Sequence, residues 1–201
     1  MSGHQLRSLV YGVMNVGLPS TVLVTGPSRS GKSEWAERLA AQCEQAGQTV
    51  TYVATSIVDS QDLEWVARIE RHQQRRPLSW KTLHVPTDVS AVIQGAGETD
   101  CLLVDSLGTW LANGLDWEDD EWNQTQQGLL AAIAHCRCTL IFVSEETGWG
   151  VVPAYPAGRR FRDRLGTLTR HIGAIANTTY LVTAGYVLNL SELGTHLDVP
   201  E

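Results

Sequence analysis

The stretch TGPSRSGKS, residues 25–33, limits the architectures open to this chain more than any other feature. It follows the apolar run TVLVT (21–25) and opens a segment where Trp35, Leu39 and Cys43 recur four residues apart, with Gly47 as a stop. Gly26, Gly31, Lys32 and Ser33 match the spacing G-x-x-x-x-G-K-[ST]. Each residue type has a physical reason at its position. Glycines let backbone N–H groups turn inward around phosphate oxygens, where a side chain would block the approach. The amino end of the following helix adds partial positive charge. Lys32 can reach the outer phosphates, and the Ser33 hydroxyl can ligate Mg²⁺. The loop predicts strand, turn and helix in immediate succession. Gly26, Pro27, Ser28, Arg29, Ser30, Gly31, Lys32 and Ser33 form the candidate nucleotide-binding set, with Lys32 also a catalytic cation.

Four further runs share the β-rich character of 21–25: TVTYVA (49–54), CLLVD (101–105), TLIFVS (139–144) and TYLVTAGYVLNL (179–190). Most are continuous rather than alternating, as expected for strands covered on both faces. Helical patterns fill the gaps, at 32–46, 62–75, 121–136 and 158–176. This order predicts an α/β fold: a P-loop NTPase-like, doubly wound, mostly parallel sheet with helices on both faces. Residues 21–201 read as one catalytic domain, and residues 1–20 as a loosely ordered extension rather than a signal peptide, with Met14 as an alternative start. The segment LDWEDDEWNQ (115–124) reads as a helix cap or a solvated turn.

Charge narrows the partners. A net charge of −7 argues against a nucleic-acid binder, which normally carries a basic domain. Yet eight of the thirteen arginines fall within 68–76 and 159–164, a placement suited to a small polyanion. No apolar run approaches the roughly 20 residues of a membrane span. Cys43, Cys101, Cys136 and Cys138 show no disulfide framework, and the Cys136–Cys138 pair beside His135 lacks the second ligand pair of structural zinc. Idle thiols in a reducing cytoplasm account for them.

A nucleotide site of this kind calls for a carboxylate on its metal, at the end of a neighbouring apolar strand. Asp105, closing CLLVD, is the candidate partner of Ser33 in holding Mg²⁺. The run TLIFVS leads into EETGWGVVP (145–153), so Glu145, Glu146 and Gly148 are expected near the same crevice, since ligands bind at the carboxyl ends of strands. Glu146 reads equally as a base or metal ligand and as a structural hydrogen-bond acceptor. Thr55 and Ser56, opening the loop TSIVDS after the second strand, join the nucleotide-binding candidates. In VARIERHQQRRPLSW (66–80), one helical turn separates Arg68 from His72 among further arginines. Nearby cations disfavour imidazolium, leaving a neutral ring with a free lone pair. Such a ring can attack an α-phosphate while Arg68 and its neighbours steady the triphosphate charge. Two other readings stand beside it: a P-loop small-molecule kinase without a histidine intermediate, and a GTP-binding module, for which the N-K-x-D guanine-reading motif is missing.

VTGPSRSGKS, YVATS, DLEWVARIERH followed by RRP-x-x-W, LLVDSLGTWLAN, VSEETGWGVVP and GRRFRDRLG occur in one order from residue 21 to about 190. Together they resemble the bifunctional adenosylcobinamide kinase / adenosylcobinamide-phosphate guanylyltransferase family of cobalamin biosynthesis. The resemblance implies phosphorylation of the aminopropanol hydroxyl of adenosylcobinamide by ATP or GTP. It implies a second reaction in which GTP guanylylates His72 and GMP then passes to adenosylcobinamide phosphate. It also implies Mg²⁺ and a homotrimer with sites between subunits. Departures from the family pattern are Glu145 for the usual Asn, Ser106 and Gly108 for Cys and Thr, and Thr169 and Arg170 for an Asn-Gln pair. Arg159, Arg160 and Arg162 read equally as phosphate or subunit contacts and as a solvated helix face.

Overall fold

The computed structural model describes residues 20–57 and 76–197. The expected extension at 1–19, the helix at 62–75 and both Arg68 and His72 lie outside the described residues. The elements are β1 (Thr21–Gly26), α1 (Lys32–Gln45), β2 (Thr49–Ala54), β3 (Lys81–His84), α2 (Val89–Gln94), β4 (Asp100–Asp105), α3 (Leu107–Asn113), α4 (Asp119–Ala134), β5 (Thr139–Glu145), α5 (Pro156–Ile175), β6 (Thr178–Thr183), β7 (Tyr186–Asn189) and α6 (Leu190–Leu193). One seven-stranded sheet runs β3-β2-β4-β5-β1-β6-β7, parallel throughout except for β7. The expected doubly wound α/β sheet is the observed one.

Helices cover both faces, and the period-two alternation of each strand decides which side chains meet them. Val22 and Val24 of β1 pack with Trp35, Leu39 and Cys43 of α1, together with Leu103, Ile141 and Val143. Leu23 turns the other way, into a core with Leu102, Val104, Phe142, Leu129 of α4, and Leu165 and Leu168 of α5. A strand buried on both faces has no polar side to show, which is why its sequence reads as a continuous apolar run.

Two departures have local causes. The run TYLVTAGYVLNL reads as one strand, but Ala184 and Gly185 adopt positive φ (50° and 79°) and reverse the chain between β6 and antiparallel β7. Two successive residues of that conformation make the tight turn whose twist suits a hairpin. β3 has no apolar signature because all four of its residues are exposed at the sheet edge. The acidic segment at 115–124 resolves as a helix start. Glu118 is the N-cap residue of α4, and Asp119, Asp120 and Glu121 occupy its first turn, favourable beside the positive end of the helix dipole.

The basic stretch 159–164 largely serves the fold. Arg164 is buried; its guanidinium donates to the carbonyls of Leu115 (3.3 Å) and Trp117 (2.9 Å) and to Asp119 Oδ1 (2.8 Å). It also lies 5.4 Å from the Trp122 ring centre. Arg160 donates to the same Leu115 carbonyl, and Arg159 to the carbonyls of Pro153 and Ala154. Arg164→Ala strands those acceptors around the start of α4 and should cost about 1–3 kcal/mol, measured as a lowered urea midpoint.

All four cysteines are free. The Cys136 and Cys138 sulfurs are 2.9 Å apart, and no group of three or more metal-ligating side chains occurs among the described residues. No described helix is long and apolar enough to cross a membrane.

Candidate active site

The phosphate-binding loop begins where β1 ends. Gly26 is required there: a Cβ would collide with the Val182 carbonyl oxygen and lie 2.8 Å from Ser30 Oγ. The turn closes through the Ser30 N–H donating to the Pro27 carbonyl at 3.3 Å, with Arg29 at φ 60° and Gly31 at φ 95°. Gly31 is also the N-cap residue of α1, and its carbonyl accepts the Trp35 N–H at 2.9 Å. Left-handed residues within a turn are the backbone form from which anion-binding concavities are built. Lys32 is buried in the first turn, its ammonium donating to the Pro27 carbonyl at 3.4 Å. The Ser30 hydroxyl oxygen is buried without a partner among the described residues. Ser33 is half-buried at the start of α1, and Ser28 and Arg29 are exposed at the turn.

Across the loop stand the carboxyl ends of β5 and β4. Gly26 pairs in register with Glu145, and Asp105 with Val143, so β5 lies between the loop strand and the strand bearing Asp105. Asp105 shares the side-chain parity of Cys101 and Leu103, which pack on the α1 side. Its carboxylate therefore faces the same side of the sheet as Lys32 and Ser33. Asp105 Oδ2 accepts the Tyr52 hydroxyl at 2.9 Å, and Arg76 lies 3.6 Å from the centre of the Tyr52 ring. Burial, reinforced by Asp105, pushes the Tyr52 phenol far up, so it remains a hydrogen-bond donor.

Glu145 is the residue whose importance the sequence understates. Its Oε2 accepts the Gly108 N–H at 3.0 Å. Burial raises its pKa from the ordinary carboxylate value, against the lowering effect of the nearby Lys32 charge. A carboxyl with a raised folded pKa adds stability below its unfolded pKa and loses it as pH rises through the folded value. Glu145→Gln removes the cost of the buried charge. Its thermal midpoint should exceed wild type at neutral pH, with the gain shrinking as the pH falls through the carboxylate range; thermal melts across that range check it.

Thr55 and Glu146 make hydrogen bonds within the fold. Thr55 is fully buried: its hydroxyl donates to the Ser106 carbonyl at 2.7 Å, accepts the Ser106 N–H at 3.0 Å and contacts Thr109. It ties β2 to α3 rather than presenting a hydroxyl to nucleotide, because β2 and β4 are neighbours in the sheet. Ser56, the next residue, is half-buried beyond the end of β2. Glu146 turns away from the α1 face. Its N–H donates to the Gly26 carbonyl at 2.9 Å and its Oε1 accepts the Thr25 hydroxyl at 2.9 Å. There it lines a cleft of about 540 Å³ beside α5, with Arg162, Thr169 and Arg170. Of the family departures, Thr169 has its hydroxyl 2.7 Å from that of Ser144.

A mostly parallel sheet whose interior strand β1 delivers a glycine-rich loop into a helix, opposite an acidic strand end, defines a P-loop nucleotide-binding protein. The chain belongs to the cobinamide kinase / cobinamide phosphate guanyltransferase family, whose model matches residues 22–190. It is 38% identical over 170 residues to the bifunctional adenosylcobalamin biosynthesis protein CobP of Pseudomonas aeruginosa, covering 84% of this chain and 95% of that one. The bifunctional adenosylcobalamin biosynthesis proteins CobU of Escherichia coli and Salmonella typhimurium are 35% and 32% identical, each matching 82% of this chain and 96% of their own.

Proposed function

We propose that this enzyme phosphorylates the aminopropanol hydroxyl of adenosylcobinamide with ATP or GTP, then joins GMP from GTP to the new phosphate through a guanylylated His72. The observation that carries the reading is the phosphate-binding loop with Lys32 and Asp105 on one face of the sheet, in a chain of this family. Gly26–Ser33 and the amino end of α1 would hold the phosphates, and Lys32 would balance charge on the transferring group. The Ser33 hydroxyl and Asp105 carboxylate are hard oxygen donors of the kind that would hold Mg²⁺. Bound there, the ion would neutralise charge developing between the outer phosphates.

In the second reaction a ring nitrogen of His72 forms a bond to the α-phosphorus of GTP as the bond to pyrophosphate breaks. An oxygen of adenosylcobinamide phosphate then bonds to the same phosphorus, His72 leaves, and the product is adenosylcobinamide-GDP. Arg68 would steady the anionic groups during both exchanges. The chain departs from Ile57 beyond the end of β2 and returns at Arg76, on the Tyr52 ring that holds Asp105. Both ends of the stretch containing His72 thus adjoin β2, the strand next to β4.

Cytoplasmic location, a homotrimer and no part for nucleic acid complete the proposal. Light scattering at three times the chain mass would support the trimer. The reaction itself is tested by mass spectrometry of the corrinoid product. With ATP alone the product should be adenosylcobinamide phosphate, and with GTP it should be adenosylcobinamide-GDP. Phosphate as the sole product under both conditions would leave the kinase reading, and tight nucleotide binding without turnover the GTP-binding one.

A further inference from the structure

Glu145 and Gly108 are 37 residues apart in sequence and meet because β4 and β5 are neighbours. The Glu145 carboxylate accepts the Gly108 N–H at 3.0 Å, and a Cβ on residue 108 would collide with Oε2 and stand 2.8 Å from Cδ and 3.6 Å from Cγ. Contacts under 3.0 Å do not occur for real side-chain carbons, so with alanine at 108 the end of the Glu145 side chain would swing aside and give up the Gly108 N–H. The Glu145 backbone is fixed by its place in β5, opposite Gly26.

The consequence reaches Asp105. Gly108 lies three residues beyond it, in the first turn of α3, whose N-cap residue is Ser106. Asp105 is held laterally by the Tyr52 hydroxyl. Along the chain, the Glu145 contact clamps the turn into which Asp105 leads. Glu145 also lies close enough to Lys32 to feel its charge. We infer that Glu145 is a positioning residue for phosphoryl transfer, tying the Asp105–Gly108 turn to β5, the neighbour of the loop strand, through the Gly108 N–H, and that glycine at 108 leaves room for this contact. This deepens the function proposed above and rests on it for its kinetic arm.

The test uses the full chain and four variants: Glu145→Ala, Glu145→Gln, Gly108→Ala and the Gly108→Ala/Glu145→Ala pair. A clamp acts by geometry, and displacement of the order of 1 Å can cost as much as about 10²-fold in rate. Glu145→Ala and Gly108→Ala should each lower kcat for corrinoid phosphorylation by about 10- to 100-fold with KM for the corrinoid little changed. The double variant should be no worse than either single one, because both lose the same contact. Glu145→Gln keeps an acceptor oxygen and should recover most of the loss seen with alanine. Multiplying effects in the double variant, an unaltered kcat in Glu145→Ala, or glutamine as harmful as alanine would overturn the inference. Thermal unfolding of the same set reads the contact without any activity. The midpoint drop caused by Gly108→Ala should shrink once Glu145 is alanine, and an equal drop in both backgrounds refutes the pairing. A wild type with this thermal coupling but no turnover would remove the proposed function alone.

Discussion

Lys32→Ala should leave a folded protein whose phosphoryl and guanylyl transfers are both slower by about 10³-fold, the upper range for loss of one preorganised charge-stabilising donor. No other lysine can substitute. Lys81, the second of the two in the chain, is exposed on β3 at the far edge of the sheet, with β2, β4 and β5 between it and the loop strand. The fold loses little, since among the described residues Lys32 makes a single long hydrogen bond, 3.4 Å to the Pro27 carbonyl. Arginine is no conservative replacement, because a planar fork does not fit a space shaped around a compact ammonium. Steady-state rates with each nucleotide, beside thermal melts, separate the loss of chemistry from loss of structure.

His72→Ala should divide the two activities. Phosphorylation of the corrinoid hydroxyl relies on the loop, Lys32 and Asp105 and should persist within a few-fold of wild type. Guanylylation should fall by roughly 10⁴-fold or more, the scale at which removing a covalent nucleophile abolishes its pathway. The asymmetry matters more than either number. A fall of both rates by one factor would mark His72 as a structural or binding residue. No fall in either would return the chain to the kinase reading. Nucleotide-dependent rates of phosphate and GDP-product formation measure both arms in one preparation.

How much of this could be read from residues alone depended on whether the signal was local. The glycine loop is local: spacing, strand and helix are contiguous, and Gly26, Gly31 and Lys32 stand as the motif requires. Buried parallel strands advertise themselves as apolar runs. The short edge strand β3 does not, because KTLH is exposed at every position, and α2 is too brief for a periodic pattern. The reversal at Ala184–Gly185 hides inside an apolar run since only backbone angles reveal it.

Relations across strands were the least legible. Thr55 looks like a loop hydroxyl available to nucleotide until the pairing of β2 with β4 buries it against Ser106 and Thr109. Glu145 reads as an unwelcome charge near phosphates until the β4–β5 pairing supplies the Gly108 N–H. Glu146, its neighbour, reads equally as a base or metal ligand and as a structural acceptor, and it points to the opposite face and holds Thr25.

One measurement bears most directly on the proposal that His72 carries GMP. Wild-type enzyme is incubated with Mg²⁺ and GTP labelled in the α-phosphate, without corrinoid, then digested and mapped. The prediction is acid-labile label on the peptide containing His72, released as adenosylcobinamide-GDP when adenosylcobinamide phosphate is added. Label on another residue, or an unlabelled protein that still forms the GDP product, would contradict it.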